Sequence, residues 1–297
     1  MAVFYLRRIL RTNQEGYNDL AMLLHQIIQS DDAEIYVSLA KTIWFEANLC
    51  AVLGAMIRIL EDNYFYEIKL VDMSIAIRNI LRRNGFIGEI DYSAIDFSKE
   101  TVVTFQQFAT NHDTAFNNYL VRELLVKKDF PKHSSLLGKR ICTSIFEVFE
   151  NARTHGKCQW IHTCGQYYPH KQPARFDITV VDVGRTIQKN VNDFFEGRSF
   201  FSASEAIEWA IQYGHTTKTD QTGGLGLDLL KEFVKLNKGR IQIVSATGYW
   251  EFIEGRTSIS KIDYSFPGTI VTIEFNFDDT AFYMLKEECD VSLDNIF

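Results

Sequence analysis

The sequence predicts an α/β protein in two parts, a smaller α/β segment over residues 1–132 and a larger α/β sandwich over 133–297. Three observations carry that expectation. In the first part, strand-like alternation at residues 66–71 is followed at once by a helical pattern at 75–81. In the second, a long amphipathic helix pattern from Leu136 is followed by a buried-strand pattern over 175–181. Lastly, three glycines within four residues (Gly223, Gly224, Gly226) open an apolar pattern through Leu225, Leu227, Leu229, Leu230, Phe233 and Val234, which fits one face of a helix.

Composition bounds the function. The chain has 297 residues, enough for two domains of ordinary size, with 46% hydrophobic and 23% charged residues, as a soluble globular protein has. A net charge of -7 argues against a broad nucleic-acid footprint. The run 47–57 is the most apolar and is too short to span a bilayer, and residues 1–11 lack the apolar core and cleavage site of a signal peptide. Five cysteines, an odd number widely spread, suit reduced thiols. A cytoplasmic protein with no membrane contact is the expectation.

In chain order, residues 34–39 read as a strand and 49–60 as a helix with Leu49, Leu53, Met56, Ile57 and Leu60 on one face. A strand at 66–71 and a helix from Ile75, ending near Arg82-Arg83-Asn84-Gly85-Phe86, complete a strand–helix–strand–helix order. Such an order implies parallel strands with helices packed on the sheet. This pattern resembles a STAS-type domain. The resemblance implies no catalytic constellation here. Ser74 has two readings, a helix N-cap or the phosphorylatable serine that some STAS domains carry. Residues 101–108 read as a further strand and 113–127 as an amphipathic helix.

Residues 131–135, with Ser134 and Ser135, break the chain and supply an N-cap for a helix running from Leu136 through Ile141, Ile145, Val148 and Phe149 to about residue 154. Glu147 and Asn151 stand four apart and so share one face of it. A carboxylate there can take a proton from water, and an amide oxygen can complete a Mg²⁺ shell; a solvated polar face has the same composition. The strand at 175–181 ends in Asp182-Val183-Gly184-Arg185-Thr186. A carboxylate just past a strand end can accept a hydrogen bond from a nucleobase amine, or simply belong to a turn. The glycine-rich loop before residue 225 can bring backbone N–H groups to an anion at a helix N-terminus, or form a tight turn.

Taken in this order and spacing, Glu147 and Asn151, then Asp182 and Gly184, then Gly223, Gly224 and Gly226 resemble the GHKL superfamily. That family's two-layer (Bergerat-type) sandwich binds ATP in gyrase, the heat-shock chaperone, histidine kinases and MutL. Phe266-Pro267-Gly268-Thr269 and the strand 270–275 fit the end of the same fold. The resemblance implies ATP and Mg²⁺ as cofactors. It implies that Asn151 coordinates the metal, that Glu147 activates water, that Asp182 reads adenine and that Gly184 lies beside the ring. It places Gly223, Gly224 and Gly226 at the triphosphate and Thr217 and Lys218 on a lid, and counts Leu225, Leu227 and Thr269 among the nucleotide-binding residues. Thr186 stands where the family carries a second glycine; its hydroxyl can still reach the base or a water, while its β-branch restricts φ.

The lid implied by the resemblance spans 187–222, with a helix at 204–213 and aromatic residues Phe194, Phe195, Phe200, Phe201 and Trp209 that need something to pack on. Sequence order and spacing leave three functions open. The first is a Mg²⁺-dependent regulatory ATPase acting on a protein partner. The second is an anti-sigma-type serine/threonine kinase, which His155-Gly156 after the helix resembles. The third is a nucleotide-gated interaction module without turnover. A STAS-like or other regulatory protein is the expected partner, dimerisation is compatible, and the pairing implies a bacterial regulatory setting. His155, Cys158, His162, Cys164 and His170 crowd together, but the spacing lacks a Cys-x-x-Cys knuckle, and packed side chains on a sheet face are the expectation.

Overall fold

The computed structural model describes residues 1–88, 101–212, 214–215 and 225–289, with the backbone alone at 225–227. It is a mixed α/β protein. The first part holds a parallel three-stranded sheet of β1 (Ala2–Tyr5), β3 (Glu34–Ser38) and β5 (Glu67–Val71), in that spatial order. Helices α1 (Gln14–Ile28) and α2 (Cys50–Tyr64) make the crossovers that parallel strands require. Two short strands, β2 (Ile9–Leu10) and β4 (Trp44–Phe45), pair beside them. The strands at 34–38 and 67–71 and their parallel pairing follow the expected pattern. Helix α1 has no counterpart in the sequence reading, although its buried Tyr17, Leu20, Leu24 and Ile27 recur at helical spacing. The Ser74 hydroxyl accepts from Ile77 N–H at 3.3 Å and so caps α3 (Ile75–Arg83).

Strand β6 (Val102–Ala109) begins the second sheet. Read from sequence within residues 1–132, it forms the edge of a five-stranded antiparallel sheet ordered β10-β11-β9-β8-β6. Its partners are β8 (Trp160–Tyr168), β9 (Arg175–Val183), β10 (Arg240–Ile253) and β11 (Arg256–Asn276). Helix α4 (Asp113–Leu120) and the pair formed by β7 (Lys132–His133) with β12 (Phe282–Tyr283) flank it. From sequence alone, strands are expected near 239–245 and 269–276, with an extra hairpin formed by 249–252 and the polar stretch 254–261. The structure instead has one long hairpin that turns at Glu254-Gly255, both with positive φ. Irregular register around Ala246 bends the pair. The strands persist because alternating residues bury on both sides, Trp250 and Phe252 on one, Tyr249 and Ile262 on the other.

Each face of this sheet has its own core. One takes Ile178, Val180, Ile243 and Ile273 against Ile141, Ile145 and Phe149 of α5 (Ser135–Asn151) and against α8 (Leu225–Asn237). The opposite face takes Val181, Val244, Phe266 and Ile270 against Leu20, Leu24, Leu53 and Met56 of α1 and α2. Both faces of the antiparallel sheet are thus covered, the second one by the N-terminal helices. Among the described residues no helix is long and apolar enough to cross a membrane.

Polar residues are buried at the joint between the two parts. Asn48 donates to the Thr179 hydroxyl at 2.9 Å and accepts from the Thr12 hydroxyl at 2.9 Å. Arg175 lies 2.7 Å from Glu46, 3.3 Å from Asp177 and 3.3 Å from Glu274. Burial holds the Asp177 carboxyl well above its ordinary range, with Glu274 adding to the effect and Arg175 opposing it.

Candidate functional site

Three backbone segments converge on Asp182. Helix α5 carries Glu147 and Asn151 on the side away from Ile145 and Phe149, so Phe149 is fully buried, Glu147 is half-buried and Asn151 is exposed. Neither Glu147 nor Asn151 makes a side-chain hydrogen bond or ion pair among the described residues, whereas Glu150 is engaged by Arg153. The helix then widens into a single π turn, Ala152–Gly156. A π turn of this kind shifts the helix end by one residue. Here the chain leaves it with Gly156 against the end of β9.

Asp182 stands next to last in β9, opposite Thr269 in β11 and opposite Ile161 in β8. Its side chain shares the sheet face of Ile178 and Val180 by strand alternation. It is 5% exposed, and its Oδ1 has no hydrogen-bond partner among the described residues. Burial lifts the carboxyl to about 8, while the Thr269 hydroxyl and N–H draw it partly back. A buried, unpartnered acceptor is costly, and sites of ligand binding are where native proteins tolerate it.

Two glycines permit the close approach of the helix exit to the end of β9. A Cβ at residue 156 would lie 2.8 Å from Asp182 Oδ1. A Cβ at residue 184 would lie 2.2 Å from the Gly156 carbonyl oxygen, which also accepts from Arg185 N–H at 2.6 Å. Gly184 is therefore bare for a backbone reason, the approach of the helix exit to the strand end. Cys158 adjoins the carboxylate; burial, with the nearby Asp182 adding to it, pushes its thiol up to about 12.

Thr186 is the N-cap of α6 (Ile187–Phe194), its hydroxyl oxygen accepting from Lys189 N–H at 3.3 Å. Ser245, absent from the sequence reading, ties this corner together. Its hydroxyl donates to the Gly268 carbonyl at 2.7 Å, accepts from Ile187 N–H at 3.0 Å and lies 3.4 Å from the Thr269 hydroxyl. Asn190 also contributes, donating to the His155 carbonyl at 3.0 Å and so holding α6 to the exit of α5. Neither residue carries a motif; only the meeting of distant segments gives them a role.

The structure thus brings Asp182, Gly184, Thr186 and Thr269 together with the exit of α5. Thr217, Lys218, Gly223 and Gly224 lie outside the described residues. Leu225, Gly226 and Leu227 form the first turn of α8. The segment after α6 contains α7 (Ala203–Ala210), shorter than expected because Ile211 closes it. Ser202 and Glu205 form a capping box at its start. The aromatic residues there pack on one another, Trp209 within 5.8 Å of Phe194 and 5.4 Å of Phe195, with His215 stacked on it at 4.7 Å. Phe200 stays 86% exposed.

Among the described residues, no group of three or more His, Cys, Asp or Glu side chains could hold a metal ion. His162 and Cys164 point into the core shared with the N-terminal helices, where burial lowers His162 to about 4, and the Cys164 thiol donates to the Ala47 carbonyl at 3.2 Å. Compared with protein-family models and with curated proteins, the chain matches none.

Proposed function

We propose that this protein is a Mg²⁺-dependent, ATP-binding regulatory ATPase whose α6–α7 segment communicates with a protein partner. One observation carries the reading: a buried carboxyl oxygen, Oδ1 of Asp182, with no hydrogen-bond partner among the described residues and no side chain on residue 156 to fill the space beside it. An exocyclic amine of a purine is the kind of donor that would satisfy it.

The remaining residues fit the same ligand. Asn151 offers an exposed neutral oxygen for Mg²⁺, which also takes phosphate oxygens and water. Glu147, on the same helical face and without a protein partner among the described residues, would accept a proton from water. When bound, Mg²⁺–ATP supplies a phosphoanhydride whose charge the metal offsets. The partly exposed aromatic cluster of α6 and α7 offers a surface for a protein partner beside the pocket.

Calorimetry with ATP, ADP and a non-hydrolysable analogue in the presence of Mg²⁺ tests the reading. Binding is expected, and Asp182→Asn should weaken it at least tenfold while the fold is kept. Absence of heat with all three nucleotides on folded protein would falsify the proposal.

A further inference from the structure

A concavity of about 640 Å³ opens on the side of the main sheet opposite Asp182, between α2, β5, α3 and β6. Asp182 lies on the sheet face packed by α5, whereas Phe105, which lines this cavity, packs with the core of α1 and α2. The two sites are separate. Small-molecule sites commonly measure about 300–1,000 Å³, so the space suits a ligand larger than an ion.

The walls divide by chemistry. Ile57, Leu70, Met73, Phe86 and Phe105 make an apolar interior, with Phe86 and Phe105 in edge-to-face contact at 4.9 Å. The charged lining is three arginines, Arg58, Arg78 and Arg82, against one acid, Glu61. Arg58 is held by Asp62 at 2.6 Å and lies over the Trp160 ring at 4.8 Å. Arg78 and Arg82 stand one turn apart on α3, are exposed, and form no ion pair among the described residues. Paired guanidiniums offer more donors than a single carboxylate takes up and match the oxygens of a phosphate. On a chain of net charge -7, a positively lined hollow also concentrates anions locally.

We infer that this cavity binds a phosphate monoester with an apolar or aromatic body, the phosphate held by Arg78 and Arg82 and the body lodged against Met73, Phe86 and Phe105. The inference is independent of the nucleotide reading of Asp182. Two further features agree with a small ligand: the overall negative charge repels a nucleic-acid strand, and among the described residues two of the lining arginines lack a carboxylate partner.

Titrating the full-length protein with 1-naphthyl phosphate, 1-naphthol and inorganic phosphate by calorimetry tests it. The ester should bind at least tenfold more tightly than either fragment. The exposed pair Arg78→Gln/Arg82→Gln should weaken the ester at least tenfold, with an unchanged melting temperature. Met73→Trp, which fills the interior and leaves both arginines, should block the ester as well. Asp182→Asn should leave it unaffected. No binding of the ester, equal binding in the arginine variant, or loss in Asp182→Asn alone would overturn the assignment, the last by moving the ligand to the other pocket.

Discussion

Asp182 and Gly156 meet so closely that a methyl group on residue 156 would stand 2.8 Å from the carboxylate oxygen. The same oxygen has no hydrogen-bond partner among the described residues. The helix exit has thus been brought against the strand end without covering the acceptor, and several consequences follow for stability and binding.

The first concerns pH. Burial raises the Asp182 carboxyl from 3.8 to about 8, so the folded protein holds a proton there that the unfolded chain releases near pH 4. The folded state therefore loses stability as pH rises from about 4 to about 8, the range in which it alone binds the proton. Asp182→Asn removes the charge and its penalty. It should be stabilised relative to the parent by about 2–5 kcal/mol at pH 8.5 and by little at pH 4. Thermal melts at both values check this; a gap that does not widen with pH contradicts it.

Glu147→Ala separates binding from turnover. The side chain is half-buried and makes no ion pair among the described residues, so stability should change by less than about 0.5 kcal/mol. Nucleotide affinity should persist while phosphate release from γ-labelled ATP falls to background. Parental turnover in the variant would remove Glu147 from the chemistry.

Arg175→Met tests the buried joint. The guanidinium lies within 3.3 Å of Glu46, Asp177 and Glu274. Removing it leaves carboxylates buried against the N-terminal helices without their cation. The expected cost is about 3–5 kcal/mol, read from urea unfolding. A loss below about 1 kcal/mol would show that the acids are already relieved by protonation or by Arg240.

A chain lacking residues 1–100 should not fold into a soluble monomer. Val181, Val244, Phe266 and Ile270 are covered by α1 and α2, and the truncation exposes that whole face. Strong dye binding or aggregation is the expected result. A monodisperse fragment with a cooperative melt would contradict the reliance of the sheet on its N-terminal cover.

The sequence by itself determined the local elements. Ser74 and the Ser134-Ser135 pair announced helix starts; the Ser74 and Ser134 hydroxyls each accept a backbone N–H in the structure, so the second helix begins one residue before the expected Leu136. The strand at 175–181 was legible from its buried-strand pattern; the structure carries it on to Val183, so Asp182 is paired inside the strand rather than standing just past it. Such features depend on neighbours within a few residues, which periodicity and capping chemistry report directly.

Only the tertiary structure decided how distant segments meet. It put Val102–Ala109 at the edge of the large sheet, laid α1 and α2 across that sheet's second face, and gave Ser245, Asn190 and Gly156 their places around Asp182. It also explained Gly184 by the Gly156 carbonyl 28 positions upstream in the chain. These outcomes arise from burial and backbone approach between residues far apart in sequence. An apolar position records that it will be buried, not what will cover it.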